Sequence, residues 1–118
     1  MTNAYLAVTF VAIAANGFSG IFALLHFQPI MPGLAKAGVP VTWLTFPIGT
    51  LKTLGALGLA AGLVIQPLGV AAATGLVLFF VCAVYTHILA GDYSPQFGLA
   101  IAFLALNAAA LALAIETL

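Results

Sequence analysis

Few residues in this chain can do chemistry, so each can be weighed singly. There are two lysines, two acidic residues, two histidines, one cysteine and no arginine. Lys52 is the sharpest case, because it stands inside Gly49-Thr50-Leu51-Lys52-Thr53-Leu54-Gly55. An ammonium group held among hydrocarbon is costly. Three arrangements relieve that cost: an ion pair with Asp92, a wet cavity, or a neutral amine. A fourth is snorkelling to the headgroups, open to Lys52 if its helix starts late, near Pro47. The stretch Tyr85-Thr86-His87-Ile88-Leu89-Ala90-Gly91-Asp92 holds the one cluster of titratable groups. His87 could exchange protons, ligate a metal or haem, or contact a quinone; the plainer alternative is a histidine bonded to a loop carbonyl. Asp92 could cap the helix that follows or pair with Lys36 or Lys52.

These residues have polar company. Asn16, Ser19 and His26 fall within one arc of a helix at about 100° per residue. Asn107 lies in the last apolar run, Asn16 in the first, and Lys52 in the second. At about 1.5 Å per residue all three reach a similar depth. The reading is a polar pocket with Lys52, His87 and Asp92 as catalytic candidates. Asn16, Ser19, His26, Asn107 and Tyr85 are its candidate substrate-binding groups. Asn16 and Asn107 could equally serve as polar glue between helices. Cys82 alone forms no internal disulfide and no cysteine zinc site. One carboxylate near the pocket does not make a metal site, and the haem motif CxxCH is absent, so no metal is assigned.

Positioning such residues requires apolar helices. Of the 118 residues, 65% are hydrophobic and 3% charged, against roughly 25% charged in an ordinary soluble domain. That excludes a water-soluble globule, a disordered segment and a nucleic-acid binder. The solvent is lipid. Four apolar runs, about 4–26, 41–65, 68–90 and 96–115, are separated by Pro- and Gly-rich segments. Each is long enough to cross a bilayer as a helix. None shows the in–out alternation of barrel strands. The expected fold class is all-α, an integral membrane four-helix bundle forming one domain over 1–118, with no soluble appendage. The first run lacks a basic leader and is read as a helix rather than a signal peptide. Gln66-Pro67 is expected to be a tight turn, and Tyr5, Trp43 and Tyr93 to anchor at the interface. The pair Gly58 and Gly62 is a GxxxG match, read as a close helix contact within the chain in preference to a dimer seam. The positive-inside rule has little to count and leans towards a cytoplasmic Lys36 loop.

The sequence also resembles a family. The resemblance is carried by Ala15-Asn16-Gly17-Phe18-Ser19-Gly20, Gly38-Val39-Pro40, the Gly-x-x-Lys-x-x-Gly-Ala-Leu segment around Lys52, and His87-x-x-x-Gly91-Asp92. Together these resemble the DoxX-like proteins over nearly the whole chain. The resemblance implies a small four-helix protein of the bacterial inner (cytoplasmic) membrane. It implies kinship with a subunit associated with thiosulfate:quinone oxidoreductase and with a component of a membrane-associated oxidoreductase complex. Lys52, His87 and Asp92, with Asn16, match the family pattern; the arginines common between its His and Asp are absent here.

Three functions compete. The first is an enzyme or enzyme subunit acting on a small lipophilic ligand by isomerisation, ring opening or proton transfer, with no cofactor required. Redox chemistry would need a quinone or flavin. The second is a non-catalytic anchor or partner subunit of an oxidoreductase complex. The third is a transporter, disfavoured because no second acidic site accompanies Lys52. The expected partners are the lipid bilayer, a lipophilic ligand, and an oxidoreductase or a homo-oligomer; nucleic acid is not among them.

Overall fold

A computed structural model describes residues 2–25 and 48–118. Within them the chain forms four helices and no strand: α1 (Asn3–Leu24), α2 (Thr50–Ala61), α3 (Gln66–Leu89) and α4 (Pro95–Thr117). The expected stretches 41–47 of the second run and His26, Lys36 and Trp43 lie outside the described residues. Three of the helices, α1, α3 and α4, are long and apolar enough to cross a membrane. The all-α membrane bundle read from composition is therefore the fold observed.

Local chemistry sets the helix ends. The Thr2 hydroxyl accepts from the Tyr5 N–H at 3.1 Å and caps α1. Ser94 occupies the N-cap of α4, and Pro95 follows at its first position, where the missing N–H costs nothing. The expected turn at Gln66-Pro67 is corrected: α3 begins there, with Pro67 in its first turn, and residues 62–65 make the reversal. Proline's fixed φ suits a helix start as well as a turn, and the sequence alone does not separate the two.

Each helix packs on its neighbours in the chain, and α1 closes the ring against α4. Paired levels run in opposite directions along adjacent helices. Gly17 faces Ala56 and Gly20 faces Thr53; Gly55 faces Leu76, Gly58 faces Ala72, and Gly62 faces Gly69. Phe80 meets Phe103. The bundle is thus up-down-up-down. The two chain ends and the 62–65 turn share one end, and the 90–94 turn lies at the other.

Small side chains fill the interior. Ala12, Ala23, Ala56, Ala73, Ala100, Ala110 and Ala114 are buried, whereas Phe10, Phe18, Leu57, Leu78 and Leu89 are exposed. A soluble protein would invert this. In lipid, burying a leucine gains little, and close backbone approach through small residues drives packing instead. The contact is tightest between Gly62 and Gly69, where a Cβ on Gly62 would fall 2.6 Å from the Gly69 nitrogen. The close contact expected of Gly58 and Gly62 is thus made within the chain, against α3. Tyr5 is a second correction: it is buried, and its hydroxyl donates to the Gly62 carbonyl at 3.4 Å. It closes the end of α2, where carbonyls lack helical partners, rather than projecting outwards as an anchor.

Candidate functional site

The polar interior forms three levels. The lowest is an asparagine pair. Asn16 Nδ2 donates to Asn107 Oδ1 at 2.8 Å, and Asn107 Nδ2 returns a bond to Asn16 Oδ1 at 3.3 Å. The second proton of each amide goes to its own helix, at Ala12 O (2.8 Å) and Phe103 O (2.9 Å). Both residues are fully buried. Every amide N–H has an acceptor, so the pair is a complete link between α1 and α4. This is the geometry that the glue reading of these residues requires.

About one helical turn, roughly 5 Å, towards the 90–94 turn lies Lys52. Gly20 carries no side chain where α1 crosses α2; a Cβ there would come within 3.0 Å of Lys52 Cβ and of the Thr53 backbone. This close approach puts Ser19 beside the lysine, and Nζ donates to Ser19 Oγ at 2.8 Å. The rings of Phe79, Phe80 and Phe103 surround the same nitrogen, with centroids at 5.6, 5.3 and 5.7 Å. Ring faces carry negative charge density, so three of them favour an ammonium group. Lys52 is ten residues from Gly62 and Phe80 ten from Ala90, so the amine lies about 15 Å from either turn. Its Nζ is turned inwards onto Ser19, and it does not reach Asp92.

The third level is built by a helix ending. Gly91 adopts φ +65°, a left-handed conformation that costs glycine nothing. The Gly91 N–H bonds Ile88 O at 3.1 Å and the Asp92 N–H bonds His87 O at 2.9 Å. This is the Schellman pattern, with glycine just past the helix and the next residue folded back over its last turn. The fold-back sets the Asp92 carboxylate beside the imidazole, with Oδ2 2.9 Å from His87 Nδ1. The spacing His-x-x-x-Gly-Asp is therefore the spacing of a helix cap that ends in a dyad. A carboxylate only accepts, so Nδ1 carries the proton and Nε2 is left as the basic nitrogen. The Phe97 ring packs on the imidazole at 6.0 Å. The other carboxylate oxygen accepts from the Ser94 N–H at 3.1 Å. Burial acts to raise the Asp92 carboxyl, but hydrogen bonds from Ser94 and His87 outweigh it and hold it below the usual carboxylate value.

Several expectations are thereby revised. Lys52 and the His87–Asp92 dyad do not converge: seven residues of α3 separate Phe80 from His87, about 10 Å along the axis. Asp92 does not cap α4, because Ser94 holds that position. It does not pair with Lys52, since its turn folds it onto His87; Lys36 lies outside the described residues. Tyr85 is 59% exposed on the outer face of α3 and does not join the polar interior, because it projects from the face opposite Phe80. His26 is outside the described residues. The three phenylalanines around Lys52 had no distinguishing mark among nine in the chain. Only the pairing of α2 with α3, and of α3 with α4, brings them to the amine. Among the described residues no cluster of histidine, cysteine and acid could hold a metal ion.

Comparison with known proteins adds one positive finding. A family model described as the DoxX-like family matches residues 7–110. Neither the curated proteins nor the solved structures provide a match.

Proposed function

The chain belongs to the DoxX-like family, and from that premise we propose that it binds a small lipophilic molecule inside the bundle, with Lys52 holding the molecule's polar head. One observation carries the reading. The amine has up to three donors and spends one, on Ser19; no other polar group among the described residues engages it. The space beside it is lined by aromatic rings, where an electrostatic contact is stronger than in water.

The His87–Asp92 dyad is the group for any proton transfer. Asp92 fixes the imidazole and leaves Nε2 as a base near the 90–94 end of the bundle. Isomerisation or ring opening suits this inventory, and a quinone-linked redox role would place the quinone against the same groups. The protein resides, on this reading, in the bacterial cytoplasmic membrane with the Lys36 segment facing the cytoplasm.

The test is ligand-dependent stabilisation of the purified protein in lipid nanodiscs. Lipophilic compounds with an oxygen-bearing head should raise the melting temperature of the wild type and leave Lys52→Met unmoved. Equal shifts in both proteins would remove Lys52 from the site. Turnover of any such compound should fall in Lys52→Ala and His87→Ala; turnover that survives both would defeat a catalytic role.

The satisfied Asn16–Asn107 pair favours a second reading, an anchor for an oxidoreductase partner with a purely structural interior. It predicts co-purification of a soluble partner under mild detergent and full function in Lys52→Leu. A protein that purifies alone, with function lost in that variant, opposes it.

A further inference from the structure

Lys52 has no counter-charge anywhere in the chain. The two acidic side chains are Asp92 and Glu116. Asp92 is engaged by His87 and lies twelve residues beyond Phe80 along the chain, at the far end of α3. Glu116 is exposed in the last turn of α4, at the opposite end of the bundle. The partners in place, one hydroxyl and three rings, stabilise an ammonium group but do not neutralise it. An ammonium group with donors unspent among the described residues selects an anion.

A second observation indicates where the rest of that molecule lies. An outward groove of about 230 Å³ runs between α2 and α3, lined by Leu51, Leu54, Gly55, Gly75, Leu76 and Phe79, with Ala72. It opens to the lipid side, where Leu51 and Leu54 are exposed. A Cβ on Gly75, which is exposed, would meet nothing within 4 Å, so the α3 side of the groove is open, while the close contact of Gly55 with Leu76 forms its floor. Its lining carries no charged side chain. Phe79 is the one side chain shared by the groove and the ring box around the amine. A volume of that size holds roughly eight water-sized groups at about 30 Å³ each, the span of a short apolar chain.

We infer that the molecule held at Lys52 is a lipophilic anion, a carboxylate on a single apolar tail. The tail lies in the α2–α3 groove, and the head reaches Lys52 and Ser19 past the Phe79 ring. This rests on the proposed function and names its ligand class. Entry is lateral, from the bilayer, because the groove faces lipid along its length.

The experiment is equilibrium binding of radiolabelled octanoate, octanol and methyl octanoate to the protein in zwitterionic nanodiscs. Octanoate should bind about tenfold or more tighter than the neutral pair, as expected for a charge-assisted hydrogen bond. Lys52→Met should erase that preference. Gly75→Leu, which fills open space, should weaken octanoate by about tenfold with an unchanged melting temperature. A Gly75→Leu protein that is stable and binds octanoate normally overturns the groove. Octanol binding as tightly as octanoate, still dependent on Lys52, overturns the anion and spares the proposed function. If no compound of either kind binds in a Lys52-dependent way, the inference and the function beneath it fall together.

Discussion

Replacing Lys52 by methionine separates what the residue does for the fold from what it does for a ligand. Methionine is unbranched and packs well against rings, so Lys52→Met should fold with a melting temperature equal to or above the wild type, because a buried charge is lost. Its ligand response should vanish. The asparagines should behave oppositely. Asn107→Ala strands the Asn16 amide in an apolar interior, which costs about 1–3 kcal/mol. The double replacement Asn16→Leu with Asn107→Leu should recover part of this loss, and chemical denaturation in mixed micelles measures both. Independent, additive losses would mean that the two amides are not coupled. The residue types were legible early, since polar groups in lipid are rare enough to count. Their partners were not. Ser19 and the three phenylalanines became partners of Lys52 only through the register between helices, which a near-uniform apolar sequence does not encode locally.

At the scale of elements, the glycines differ in what they do. Gly62→Ala pushes a methyl into the backbone of Gly69, where nothing flexible can yield, and should cost about 1–3 kcal/mol. Gly75→Ala meets open space and should be neutral or slightly stabilising, since alanine is the better helix former. Gly91→Ala keeps the helices but forces a side chain into the left-handed region, at about 1–2 kcal/mol, and loosens the His87–Asp92 dyad with it. The same turn gives the α3–α4 hairpin a pH dependence. The Asp92 carboxyl titrates lower when folded than when unfolded. Its stabilising contribution is therefore fully present above the ordinary carboxylate range and disappears as pH falls through the lowered folded value. Unfolding followed downwards from about pH 6, above the ordinary carboxylate range, should show this loss in the wild type, and Asp92→Asn should flatten it. An unchanged profile in Asp92→Asn would assign the acid sensitivity elsewhere.

For the whole molecule, the ring of antiparallel helices fixes which segments share a side of the membrane. In a Cys82→Ser background, Val64→Cys and Leu118→Cys should react with an impermeant maleimide from one side, and Tyr93→Cys from the other. All three positions are exposed. Labelling of 64 and 93 from the same side would break the topology. Composition and run length alone determined that the chain is a helical membrane protein, because a chain with 3% charged residues cannot cover itself against water, and lipid admits backbone only as helix or closed barrel. The small-residue steps and the His-x-x-x-Gly-Asp spacing were also local, since a helix cap is closed within six residues. What tertiary structure alone decided is which way Lys52 turns. Its direction depends on how closely α1 approaches at Gly20 and on which rings α3 and α4 bring to its level, and both are set by packing between segments far apart in the chain.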